Sequence, residues 1–349
     1  MSYKVIYHFL IVHLLLGRWC LCAKIPAIIV FGDSSVDSGN NNYISTILKS
    51  NFEPYGCDFD GNQPTGRFSN GKLPTDFISE TLGIKPLIPA YLDPKCNITD
   101  FATGVSFASA GTGYDNATSD LFSVIPLWKE LEYYKEFQRD LRSYIGQDKA
   151  NQVLSEAMHM ISVGTNDFLE NYRILSDRTA EYSLENYEQY LIGIADNFIT
   201  ELYQLGARKI AIAGLPPMGC LPLERTINLL FGSACAEEQN NVAQDFNQKL
   251  KALVAQLNHK LAGIRLVLSD TYDILLNIIQ NPDSFGFAEA RTACCGTGLI
   301  EIGYLCDKFN IFTCSDANNY VFWDALHTTE KTNRIVADNL IKKYLAEFL

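Results

Sequence analysis

Apolar positions along this chain follow two patterns that take turns. Five short runs are almost continuously apolar: 25–31, 103–108, 158–163, 208–213 and 264–269. Runs of that length and continuity read as strands covered on both faces. Between them the period changes. Leu131, Tyr134, Phe137, Leu141 and Tyr144 recur at spacings of three and four within 128–145. Leu191, Ile194, Phe198 and Leu202 do the same within 187–205, as do Val242, Phe246, Leu250, Leu253, Leu257 and Leu261 within 237–262. Each is a helix with one apolar stripe for a core. Gly206 and Gly263 follow the last two and suit helix ends, where a left-handed residue closes the last turn.

Strands alternating with helices predict an α/β protein, a parallel sheet with helices on both faces. No repeat or low-complexity linker interrupts it, so one domain over 24–349 is expected. Loops 51–72 and 281–320 are long, rich in Gly, Asn and Pro, and hold most of the cysteines. In such a sheet, sites form at the carboxyl ends of the strands.

The first 23 residues break the pattern. Lys4 precedes the apolar segment 9–16, and the small residues Cys20, Cys22 and Ala23 follow. This is the layout of a secretory signal peptide cleaved near Ala23. The apolar segment is too short to span a bilayer, and no later one is long enough. A secreted, extracellular protein is expected. Two sequons, at Asn97 and Asn116, fit that compartment as glycosylation sites.

Composition then narrows the partners. The chain is 47% hydrophobic and 19% charged, with a net charge of -12. Removal of 1–23 leaves 26 basic and 40 acidic residues, a net -14. An acidic chain without a basic run repels phosphate backbones, so nucleic acid is excluded as a partner. Eight cysteines remain, an even number that reads as disulfides behind a signal peptide. Cys220 with Cys235 is a plausible local bridge. Cys294 and Cys295 are expected to take different partners near Cys306 and Cys314. The cysteines lack paired C-x-x-C spacing, so no metal is expected.

Only three histidines follow the leader: His159, His259 and His327. A serine hydrolase needs one of them as base. His159 lies inside a strand and His259 on a polar helix face. His327 sits in "FWDALHTTE", three residues after Asp324. A carboxylate there can hold the imidazole tautomer and stabilise the imidazolium; the alternative is a turn aspartate beside a surface ring. Thr328 and Thr329 can cap a following helix. Ser106, in "GVSFA", lacks the final Gly of an α/β-hydrolase elbow and lies within a strand. Ser34 and Ser35, in "FGDSSVDSGN", follow the first strand directly. Oxyanion donors are available at two other strand ends, the Gly111 N–H in "ASAGTG" and the Asn166 amide in "GTND".

These blocks resemble the plant GDSL esterase/lipase family of the SGNH hydrolase superfamily. The match lies in "FGDSSVDSGNN", "GVSFASAGTGYD", "VGTND" and "FWDALHTTE", with further likeness in "GRFSNGKLPTDFI", "LGARKIAIAGLPPMGCLP" and "CCGTG". The resemblance implies a three-layer α/β/α fold on a five-stranded parallel sheet, flavodoxin-like in kind. It implies Ser34 as nucleophile, His327 as general base and Asp324 as the group orienting it. The oxyanion hole would use the Ser34 N–H, the Gly111 N–H and the Asn166 side chain, with Gly104 and Gly113 as other candidate glycines. No cofactor is implied. Two departures stand out: Ser106 where the family has Asn, and Thr328 where it has Pro. The expected activity is hydrolysis of acyl or acetyl esters, small or polymeric, through an acyl-enzyme. An acyltransferase on the same site and a non-catalytic secreted binding protein are the alternatives. Oligomeric state is left open.

Overall fold

The computed structural model describes residues 25–175, 178–228 and 234–349; the segment 1–23, read above as a signal peptide, lies outside them. The apolar runs become β1 (Ile28–Gly32), β2 (Gly104–Ser106), β3 (Met158–Ser162), β4 (Lys209–Ala213) and β5 (Arg265–Ser269). All pair in parallel, in the order β2–β1–β3–β4–β5. This is the flavodoxin-like order, whose direction reverses between β1 and β3 and opens a crevice at their carboxyl ends.

Among the helices that flank the sheet are α1 (Pro74–Thr81), α2 (Leu127–Ile145), α3 (Leu184–Gln204), α4 (Glu237–Lys260), α5 (Tyr272–Gln280) and α6 (Glu330–Lys343). α3 begins before its apolar stripe does, because Ser183 caps it and accepts a hydrogen bond from Asn186 N. α6 begins at the Thr329 cap, whose hydroxyl accepts from Thr332 N. Phe31 of β1 meets the edges of Tyr134 and Phe198 at 5.4 and 5.5 Å, which puts α2 and α3 on one face of the sheet. α1 and α6 pack on each other over the opposite face.

Two features depart from expectation. Within the long loop 281–320 and just after it, β6 (Glu289–Ala293) and β7 (Tyr320–Phe322) pair as a second, two-stranded parallel sheet. Too few residues pair there for periodicity to register. The expected bridges all form, but two of the eight cysteines stay unpaired. Bridges join Cys220–Cys235, Cys294–Cys314 and Cys295–Cys306, but Cys57 and Cys96 are free thiols. Cys57 packs on a small cluster around Tyr55 and Trp323, whereas Cys96 packs on the main core, so nothing brings them together.

His159 shows what a strand histidine does here. It shares the Phe31 face, is fully buried, and its Nε2 lies 2.9 Å from Tyr134 Oη. Burial lowers its pKa from the ordinary 6.5 to about 4. Between those values the unfolded chain binds this proton and the folded protein does not, so stability from this group falls as pH drops through the window. His159→Gln should therefore lose less melting temperature than the wild type between pH 6.5 and about 4. Equal losses would refute a buried neutral imidazole.

Candidate active site

β1 has to end at a glycine. A Cβ on Gly32 would lie 1.8 Å from Ser162 O, and the residue sits at φ +132°, so a side chain would force β1 away from β3. Asp33 N then donates to that same Ser162 O at 2.9 Å, and Val36 N closes the turn on Asp33 O at 3.1 Å. The turn carries Ser34 to the carboxyl edge of the sheet. There Ser34 Oγ lies 2.8 Å from His327 Nε2, and His327 Nδ1 lies 2.8 Å from each oxygen of Asp324.

Asp324 is fully buried. A carboxylate out of water has to be surrounded by donors. Leu326 N and His327 N donate at 2.9 and 2.8 Å, and Tyr55 Oη donates at 2.7 Å. Trp323 N closes the loop by donating to His327 O at 2.7 Å. The network assigns the ring proton to Nδ1 and leaves Nε2 to accept from the Ser34 hydroxyl. Phe68 packs beside the imidazole with ring centroids 4.9 Å apart.

Ser35 is occupied differently. Its hydroxyl donates to Asp33 Oδ1 at 2.6 Å and meets Ser162 Oγ at 2.8 Å. Burial raises the Asp33 carboxyl pKa, and the Ser35 hydrogen bonds partly offset that. Ser106 is not at the site. It is buried in β2, where its hydroxyl donates to Val36 O at 3.0 Å. His259 is exposed on α4.

The structure brings the Asn166 and Gly111 loops together without placing both in the cavity wall. Asn166 lines the cavity with Ser34 and His327, and its Nδ2 donates to Thr112 O at 2.9 Å. That leaves the second amide hydrogen uncommitted. Gly111 is not in that wall and sits at φ +90°. Among the described residues, the N–H groups of Ser34 and Gly111 donate to no backbone carbonyl. Gly104 pairs with Ile28 at the amino end of β2, the wrong end of the sheet. A Cβ on Gly113 would lie 2.3 Å from Asp167 Oδ1.

Two buried carboxyls hold the Gly111 loop. Asp37 accepts from Gly39 N, Asn40 N and Ala110 N, and burial pushes its pKa up to about 6. Asp167 accepts from Tyr114 N, Asp115 N and Thr118 Oγ1, and burial pushes it up to about 7. Asn40 Nδ2 adds bonds to Ser106 O and Ala108 O at 2.9 and 2.8 Å. Among the described residues no cluster of His, Cys, Asp or Glu is placed to hold a metal ion, and no helix is long and apolar enough to cross a membrane.

With the site in place, comparison with known proteins is direct. The GDSL-like lipase/acylhydrolase model matches residues 28–340. The chain belongs to that family. A GDSL esterase/lipase of Arabidopsis thaliana is 62% identical over 327 residues, covering 94% of this chain and 93% of that protein. A second from the same plant is 57% identical over 326 residues, covering 93% of each. A solved carbohydrate esterase superposes with a TM-score of 0.41 at 12% identity, over 94% of this chain and 72% of its own. The protein is thus a GDSL-type carboxylic ester hydrolase of the plant kind.

Periodicity does not single out Tyr55 or Phe68: Phe52, Tyr55 and Phe59 stand three and four apart, but Pro54 and Gly56 interrupt any helix there, and Phe68 is a lone aromatic among turn residues. "GRFSN", which contains Phe68, is family-like, and that is the one signal available. Tyr55 Oη also accepts from Gly303 N at 2.9 Å, so it ties the disulfide loop to Asp324. Tyr55→Phe keeps the packing and removes that donor. It should lower kcat for a small ester roughly tenfold, the scale of one hydrogen bond to a charged group, with KM unchanged. An unchanged kcat would reduce Tyr55 to a packing residue.

Proposed function

We propose that this ester hydrolase is secreted and works through an acyl-enzyme on Ser34. The hydrogen-bonded chain Ser34 Oγ–His327–Asp324 supports this reading above all else. His327 Nε2 takes the Ser34 proton as Oγ attacks the acyl carbon. Asp324 accepts from Nδ1–H and stabilises the imidazolium that results. The Ser34 and Gly111 N–H groups and the free Asn166 amide hydrogen receive the oxyanion. The protonated His327 gives its proton to the departing alcohol. Water then repeats the sequence, losing its proton to His327 as it attacks the acyl-enzyme, and the acid is released with Ser34 restored. Every proton is accounted for by one imidazole.

Secretion is supported by three disulfides, which persist in oxidising compartments, and by the leader-like segment 1–23. Asn97 and Asn116 are both exposed, as glycan acceptors have to be. Residues 24–349 would form the mature hydrolase domain.

Ser34→Ala should lower turnover of a p-nitrophenyl ester at least about a thousandfold with the circular dichroism unchanged. Ser35→Ala should remain active. Asp324→Asn should lose nearly as much as Ser34→Ala, because an amide cannot hold the required tautomer. A fully active Ser34→Ala enzyme would remove this mechanism.

A further inference from the structure

We propose that the acyl chain of the ester lies in an apolar slot between the sheet and α6, with Met160 and Ala211 setting its length. This rests on Ser34 being the acylated residue. A cavity of about 170 Å³ has Ser34 and His327 in its wall and continues as far as Leu340. It therefore begins at the reacting atom and leads away from it beneath a helix.

Strand register explains why space exists there. Paired residues in a parallel sheet share a face. Gly32 pairs with Ser162, Ile161 with Ile212 and Ala213 with Ser269. One row across the carboxyl edge of the sheet is therefore Gly, Ser, Ala, Ser, on the face that α1 and α6 cover. Such short side chains cannot reach the helices above them, and a gap is left. Two residues down each strand, the row is Val30, Met160, Ala211 and Val267, where bulk returns. Met160 and Ala211 line the inner end of the cavity, with Val336 and Leu340 of α6 opposite and Leu275 of α5 at the side.

The dimensions select a chain class. From Asn333, next to the His327 loop, to Leu340 is seven residues of helix, or roughly 10 Å at 1.5 Å per residue. An extended hydrocarbon with bonds of about 1.5 Å fills that length with about eight carbons. Met, Ala, Val and Leu side chains make up most of the wall beyond the Gly–Ser–Ala–Ser row, and the hydroxyls of Ser162, Ser269 and Thr271 are too few to pair the many polar atoms of a sugar or to solvate a charged acyl group. An acetyl group would leave the slot empty. The fitting substrate is a medium-chain aliphatic ester.

The test uses the full-length secreted protein and p-nitrophenyl esters from acetate to palmitate. kcat/KM should climb about fourfold per added methylene up to about eight carbons and then fall. Ala211→Leu, which fills the floor, should lower the octanoate-to-butyrate ratio of kcat/KM at least tenfold. Met160→Ala, which deepens it, should move the optimum to longer chains. The second variant decides the matter if the first fails to fold. A flat or acetate-peaked wild-type profile, or variants with the wild-type profile, overturns the slot while leaving the Ser34 mechanism standing. A folded wild type that hydrolyses none of the esters overturns both.

Discussion

Everything at this site depends on meeting the hydrogen-bond demand of one fully buried carboxyl group. Asp324 is fully buried, and a buried charge persists only when donors surround it. Two backbone N–H groups, the His327 ring and the Tyr55 hydroxyl meet that need. Each donor then imposes a demand of its own. The backbone donors require the tight turn from Trp323 to His327. Tyr55 has to be gripped in turn, and Gly303 N grips it from a loop that Cys295–Cys306 and Cys294–Cys314 close. Placing those disulfides beside the site follows from the same constraint: they hold the partner of the partner of the acid.

The opposite wall is built by strand ends. Gly32 lets β1 approach β3, the Asp33 turn presents Ser34, and Asp37, Asn40 and Asp167 hold the Gly111 loop from both sides. These carboxyls are costly to bury, as the raised values near 6 and 7 for Asp37 and Asp167 show. They are accommodated because backbone N–H groups of the loop need acceptors. Rigidity of the proposed oxyanion wall and satisfaction of buried polar groups are here one arrangement. The proposed acyl slot opens from the same sheet edge. Small residues that let Ser34 sit close to β3 also leave room beneath α6.

Much of this was legible in the sequence where it depended on local pattern. Continuous apolar runs marked all five strands of the main sheet, and the stripes of α2, α3 and α4 gave those helices to within a few residues. The scarcity of histidine pointed to His327, since His159 sat in a strand and His259 on a polar face. What local pattern did not carry was anything made by chain segments meeting in space. Ser34 and Ser35 are indistinguishable by spacing, and the Asp33–Ser35 hydrogen bond separates them only in three dimensions. Phe68 has no periodic neighbours, and the spacing of Tyr55 with Phe52 and Phe59 is broken by Pro54 and Gly56. The row Gly32, Ser162, Ala213, Ser269 comes from four strands and exists only through register. Cys57 and Cys96 completed an even count, yet they belong to different hydrophobic clusters.

In the proposed mechanism Ser34, and no neighbouring hydroxyl, is the activated nucleophile. A fluorophosphonate reacts with such a serine and marks it covalently. Peptide mass spectrometry of the labelled, folded protein should find a single adduct, on Ser34, and none on Ser35 or Ser162. An adduct on another serine, or a folded protein that takes no label, would contradict it.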